Sequence, residues 1–232
     1  MKEVLNFELI HQLVKMHGLD EVLDDTVLAE LRLLEAEKGE MICEKGERPE
    51  RLYFLVQGKL KIFTTLPNGK SLLLRFGTPL SLVGDLELVN GKEASNSVQS
   101  VNRSLLLAVS YRAIQNSYTK NPNFLHFMLS QVTHKLYTFS NLSSLNMLCP
   151  VESRFASYLL STLDENTTTS EEVQTSTLTE LADLLGTSYR HLNRVIQDLC
   201  KRDIIRKARR KIVIQNVEEL REIAGGNVYE KC

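Results

Sequence analysis

Apolar positions recur along the chain in two rhythms, and the switches between them divide it. From residue 1 to about 36 the spacing is helical, with Leu28, Leu31 and Leu34 recurring one turn apart. From Gly39 to Ser110 the pattern breaks into short runs rich in branched and aromatic residues: MIC, LYFLV, KLKIFTTL, SLLLRF, SVQSV and SLLLAVS. Glycines punctuate these runs, and Pro67-Asn68-Gly69 is a hairpin turn signal between two of them. Many short strands with regular turns predict a closed β-roll or barrel. From Tyr111 onward the helical spacing returns.

Asn121 followed by Pro122 is a helix start, and the helix it opens is predicted to run to about Asn146. Its apolar residues include Leu125, Met128, Leu129, Val132, Leu136, Phe139 and Leu142. From Leu129 the steps are those of a narrow stripe, about as wide as a coiled-coil seam. The stripe could pack on the β-roll alone. About 25 residues is long for a helix that serves only its own domain, so a dimer seam is the favoured reading. Pro150 redirects the chain, VESRFASYLLSTL is a further amphipathic helix, and residues 164–176 read as an exposed acidic loop.

Next comes LTELADLLGTSYRHLNRVIQDLCKRDIIR, residues 178–206. Thr177 and Glu180 form a capping box for a first short helix. Leu181, Leu184 and Leu185 face inward, and Ala182 is small where a second helix crosses. Gly186 supplies the permissive turn, and Ser188 caps the second helix, whose buried side is Leu192, Val195 and Leu199. Together these features make a helix-turn-helix. The opposite face carries Tyr189, Arg190, Asn193, Arg194 and Gln197, groups able to read guanine or adenine edges. The end of the segment, IIRKARRKIVI, has two apolar runs around a basic centre and is predicted to be a two-stranded wing. Arg206, Lys207, Arg209, Arg210 and Lys211 would there meet backbone phosphate.

Charge sharpens the picture locally. The whole 232-residue chain carries −1. Residues 186–214 hold nine bases against two acids, a balance of +7 suited to phosphate contact. Charged residues are 25% and apolar ones 43%, ordinary for a soluble protein. No apolar run approaches the roughly 20 residues of a membrane span, and the N-terminus lacks the pattern of a signal peptide. A cytoplasmic protein is expected. Cys43, Cys149, Cys200 and Cys232 form no C-x-x-C pair, and the five histidines form no ligand motif, so no metal site is expected. No nucleophile motif or phosphate-cradling loop is present, so an enzyme is not expected. A protein-interaction module is the rival class, disfavoured by the basic segment.

At this point the chain resembles the cAMP receptor protein/FNR (Crp/Fnr) family of bacterial transcription regulators. KGEMICEKGERPERLYFLVQGKLKIF holds the β-roll glycines, VGDLELVNGKEAS stands in the place of the phosphate-binding cassette, and NPNFLHFMLSQV opens the long helix. ESRFASYLL leads into the DNA-binding domain, and SYRHLNRVIQDLCKRDII is most similar to the YeiL-type branch. The resemblance implies an α+β fold: an N-terminal cyclic-nucleotide-binding-like β-roll (a double-stranded β-helix, or jelly roll) over residues 1–120, a dimerisation helix and hinge over 121–149, and a winged helix-turn-helix over 150–232. It implies a homodimer on an inverted-repeat operator in double-stranded DNA. Residues 164–176 could touch RNA polymerase, as surface loops do in the family; an ordinary acidic loop is the plainer reading. In the cAMP-responsive branch the capping Ser is followed by Arg and Glu, and an Arg follows one turn on. Only Arg194 matches here, so that branch's operator preference is not expected.

The same resemblance marks a candidate effector pocket at Gly84, Asp85, Leu86, Ala94, Ser95, Phe139 and Ser140. Family members that bind cAMP hold Gly-Glu-Leu and then Arg-Ser or Arg-Thr, the Arg neutralising the cyclic phosphate. Here the acid is shortened to Asp85 and the Arg place holds Ala94. A buried phosphate without its guanidinium loses a charge-assisted, two-pronged contact, so simple cAMP dependence is not expected. The family Thr that meets the adenine corresponds to Phe139, whose ring could fill the cavity. No cysteine precedes Cys43, so an FNR-type iron–sulfur cluster is not expected either. An unknown effector, a thiol switch at Cys149 or Cys232, and constitutive binding all remain open.

Overall fold

The computed structural model describes residues 1–118, 120–163, 172–174, 177–208 and 211–226. They fall into two compact units, residues 1–62 with 76–137 and residues 63–75 with 138–232. The first begins with β1 (Lys2–Val4), α1 (Phe7–Met16) and α2 (Asp25–Ala29), then β2 (Arg32–Ala36), β3 (Met41–Cys43), β4 (Arg51–Gln57) and β5 (Leu60–Thr65). It continues with the end of β6 (Ser71–Gly77), β7 (Leu82–Val83), α3 (Asp85–Asn90), β8 (Ser97–Ser100), β9 (Ser104–Ser110) and α4 (Tyr111–Tyr118), while residues 63–65 of β5 and 71–75 of β6 count with the second unit. Two sheets form the roll, in the orders β1-β2-β9-β4-β7 and β3-β8-β5-β6. Every short apolar run of the sequence is a strand.

One expectation at the N-terminus is corrected. Residues 2–4, inside the stretch read as helical, form β1, and Leu34, read as helical with Leu28 and Leu31, lies in β2, paired antiparallel with Leu106 of β9. Three leucines at helical spacing fit either element. Here sheet partners on both sides of β2, β1 and β9, override the local period.

The core of the roll gathers Leu52, Phe54 and Val56 of β4, Leu107 and Val109 of β9, and Leu13 and Val14 of α1. The long helix α5 (Pro122–Leu148) adds Phe124 and Met128 to that same core. Its start is capped as the sequence predicts: Asn121 Oδ1 accepts from the Asn123 and Phe124 amides at 3.0 and 3.2 Å. Two residues assigned to a dimer seam are therefore corrected. Met128 is turned into the roll, and Leu142 is buried too. The stripe left exposed is Leu125 (42%), Leu129 (65%), Leu136 (69%) and Phe139 (49%), with Val132 half-buried among them. Those five positions step by 4, 3, 4 and 3, a closer heptad than the original set.

The second unit continues with α6 (Val151–Thr162), β10 (Glu172–Gln174), α7 (Leu178–Leu184) and α8 (Tyr189–Lys201). β11 (Ile205–Ala208), β12 (Lys211–Ile214) and α9 (Val217–Ala224) complete it. The wing has three strands rather than two, in the order β10-β12-β11. Val173, inside the segment expected to be a loop, pairs with Ile212. The acidic tract around it hid a three-residue strand too short to show a period.

Candidate nucleic-acid interface

The helix-turn-helix is built by local rules. Thr177 Oγ1 accepts from the Glu180 amide, and Glu180 reaches back to the Thr177 amide, both at 3.2 Å. This reciprocal cap fixes where α7 starts. Leu181, Ala182, Leu184 and Leu185 are buried. Gly186 takes φ +61°, a conformation side chains disfavour, and the Thr187 amide returns to the Ala182 carbonyl at 2.9 Å. Ser188 Oγ then accepts from the His191 amide at 3.2 Å and starts α8.

On α8, Leu192, Val195, Ile196 and Leu199 are buried. That burial fixes the rotation of the helix and turns Tyr189, Arg190, Arg194 and Gln197 outward, all exposed, with Asn193 half-buried beside them. One helical face thus presents guanidinium and carboxamide groups, the chemistry that reads guanine and adenine in a major groove. Beside it, Ile205 pairs with Ile214 and Lys207 with Ile212 in the wing. Arg206 and Lys207 are exposed, and Lys211 is half-buried. Lys207 Nζ donates to Asn193 Oδ1 at 3.2 Å, joining wing to helix face. Arg209 and Arg210 lie outside the described residues.

Three positioning residues were not found from the sequence. Arg154 of α6 donates to the Leu185 carbonyl, which ends α7. Arg202 bridges Glu152 at 2.8 Å and Glu219 at 3.2 Å, tying α6 and α9 to the end of α8. Its charge, counted among the nine bases, thus faces two acids at the protein surface. The third, Lys135 of α5, pairs with Asp85 of α3.

The sequence comparisons match this architecture part by part. Residues 33–121 match the family model for a cyclic nucleotide-binding domain, and residues 153–223 match that for a Crp-like helix-turn-helix domain. The chain belongs to the Crp/Fnr family. Relatives include the regulatory protein YeiL of Escherichia coli O157:H7, 26% identical over 200 residues, or 85% of this chain and 88% of the relative. A CRP-like cAMP-activated global transcriptional regulator of Mycobacterium tuberculosis is 25% identical over 82% of this chain and 87% of its own. Among solved structures, a CRP-family transcriptional regulator of Thermus thermophilus superposes with a TM-score of 0.70 at 21% identity, covering 86% of this chain and 100% of that one. The chain is accordingly a DNA-binding transcription regulator of the CRP family.

In this Crp/Fnr chain the segment read as the phosphate-binding cassette keeps Gly84 and Ser95 and holds Ala94 between them. Gly84, at φ +90°, precedes α3, and a Cβ there would meet the Arg51 carbonyl oxygen at 2.6 Å. Tyr111 Oη donates to the Gly84 carbonyl at 2.6 Å. Asp85 is only 2% exposed and forms an ion pair with Lys135 of α5, which also donates to the Leu82 carbonyl at 3.0 Å. Asp85 Oδ2 is buried with no hydrogen-bond partner. Ala94 is buried, and both its backbone groups are occupied: its amide donates to the Glu47 carbonyl and its carbonyl accepts from the Gly46 amide, each at 2.8 Å. Its methyl group has no charge and no donor to offer an anion. Leu86 and Ser95 are exposed, and so are Phe139 and Ser140 on α5.

The thiols are spread over three elements. Cys43 ends β3, Cys149 follows α5 and Cys200 lies in α8. Burial, with Glu87, Glu47 and Glu44 nearby, pushes the Cys43 thiol up to about 11, the opposite of an activated thiolate. Cys232 lies outside the described residues. Among the described residues no three His, Cys, Asp or Glu side chains gather as a metal site, and no helix is long and apolar enough to cross a membrane.

Proposed function

We propose that this regulator works as a homodimer on an inverted-repeat operator, with its α8 helices in successive major grooves about one helical turn apart. The observation that carries the reading is the face of Arg190, Asn193, Arg194 and Gln197, turned outward by the buried Leu192, Val195, Ile196 and Leu199. Tyr189 and the Ser188 end of the helix approach phosphate, as do Arg206, Lys211, Arg209 and Arg210 of the wing. The exposed stripe Leu125, Leu129, Val132, Leu136 and Phe139 is the dimer seam. The working division is a sensor over residues 1–120, a dimer helix and hinge over 121–149, and a DNA-binding domain over 150–232. For residues 164–176, most of which lie outside the described residues, an ordinary acidic surface loop is the plainer reading and contact with RNA polymerase the alternative. The site of action is the cytoplasm, where operator DNA is.

The β-roll answers a signal other than simple cAMP, or none. What supports this is the Lys135–Asp85 pair together with the occupied backbone of Ala94. Selection from a random duplex library tests the central reading. Recovery of a two-fold symmetric site supports it. Enrichment of no sequence, with salt-insensitive retention on a protein partner instead, would favour an interaction module.

A further inference from the structure

Lys207 sits on the wing, where a basic side chain is expected to meet phosphate. Its ammonium instead lies 3.2 Å from Asn193 Oδ1 on the exposed face of α8. An ammonium only donates, so the carboxamide atom facing it must be the oxygen. The contact therefore fixes which end of the Asn193 amide is committed inside the protein. Lys207 belongs to β11, held in register by Ile205 opposite Ile214 and Lys207 opposite Ile212. Asn193 is flanked on α8 by the buried Leu192 and Val195. Strand register and helix burial thus place the two Cα positions within reach of this contact.

Reading adenine takes both ends of an asparagine: Oδ1 accepts from N6 while Nδ2 donates to N7. An Oδ1 already shared with a cation is a poorer acceptor for N6. The Nδ2 donors remain, and the base edge that suits donors alone is guanine, with acceptors at both N7 and O6. We propose that Lys207 is a positioning residue for base readout, directing Asn193 toward guanine and away from adenine. This rests on α8 being the DNA-reading helix. Lys207 then acts on sequence preference at a single base pair, beyond any effect on overall affinity.

The test is selection from a random duplex library with the intact wild-type protein and with Lys207→Met, Asn193→Ala and the double variant. Lys207 is exposed, and unchanged thermal melting by circular dichroism checks that its loss leaves the fold intact. The base pair that loses its preference in Asn193→Ala is the one Asn193 reads. Wild-type protein should select guanine there. Lys207→Met should shift that position toward adenine by about fivefold or more, near the lower end of what a two-bond amide–base contact is worth, and leave the others unchanged. In the Asn193→Ala background, Lys207→Met should add no further change in preference. Adenine in the wild-type site overturns the proposal. So does a Lys207→Met variant that weakens all sequences alike and lowers the salt slope by about 1 at unchanged preference, because that marks a phosphate contact. If wild-type protein enriches no site, DNA readout by α8 fails with it. A wild-type site that Lys207→Met does not shift sinks the positioning role alone.

Discussion

Replacing Lys135 with Met removes the ammonium that faces Asp85 and keeps most of the side chain's bulk. The Asp85 carboxylate is 2% exposed, and its second oxygen already lacks a partner. Stripping a buried ion of its counter-charge costs about 3–5 kcal/mol. The Lys135 side chain is 15% exposed, so water can reach part of the vacated space, and the lower end, about 3 kcal/mol, applies. Lys135 also donates to the Leu82 carbonyl, so the single variant alone does not isolate the pair. The cycle that does so adds Asp85→Leu and Lys135→Met/Asp85→Leu, since an apolar pair of similar volume is often nearly neutral. The assay is urea unfolding followed by circular dichroism. With slopes of about 1–3 kcal/mol per molar, the midpoint of Lys135→Met should fall by about 1 M or more, and the double variant should recover most of it. Additive effects, or a midpoint unmoved in Lys135→Met, would refute the claim that this pair holds the cassette to α5.

Arg194→Ala should weaken the selected operator and relax one base pair by about 1–3 kcal/mol in competition binding, leaving random DNA nearly unaffected. Equal losses on both would make Arg194 a phosphate contact. Leu129→Glu with Leu136→Glu buries like charges in the proposed seam and should give monomer in sedimentation velocity at concentrations where wild-type protein is dimeric. Unfolding of Thr177→Ala should be easier by about 1 kcal/mol, since the Glu180 amide loses its Oγ1 acceptor while the residue 177 amide keeps its bond to the Glu180 carboxylate. Cys43 favours its neutral form when folded, so its contribution is intact below pH 9 and lost as pH rises toward about 11. Cys43→Ala should therefore show a flatter decline in stability across that window.

What the sequence made legible was what is decided within a few residues. The capping box, the Gly186 turn and the buried side of α8 are all local, and each lies where the spacing put it. Strands β3 to β6, β8 and β9 of the roll were equally plain, because turn signals separate them. β2 was lost because one apolar triplet fits both a helix and a strand, and β10 because three residues carry no period. Partners distant in the chain were beyond reach. Arg154 meets a carbonyl 31 positions away, and Lys135 and Arg202 meet acids 50 positions away. The seam was half legible: its rhythm was visible, but only the packed roll shows that Met128 belongs to the core.

The central claim, sequence-specific reading of DNA by α8, is tested most directly by competition binding of the selected duplex against a scrambled one at about 0.15 M salt. The selected site should win by about 10³-fold or more, the lower end for specific regulators, and the advantage should fall sharply when either half-site is scrambled. Equal affinity for the two duplexes, with binding that only follows salt, would contradict it.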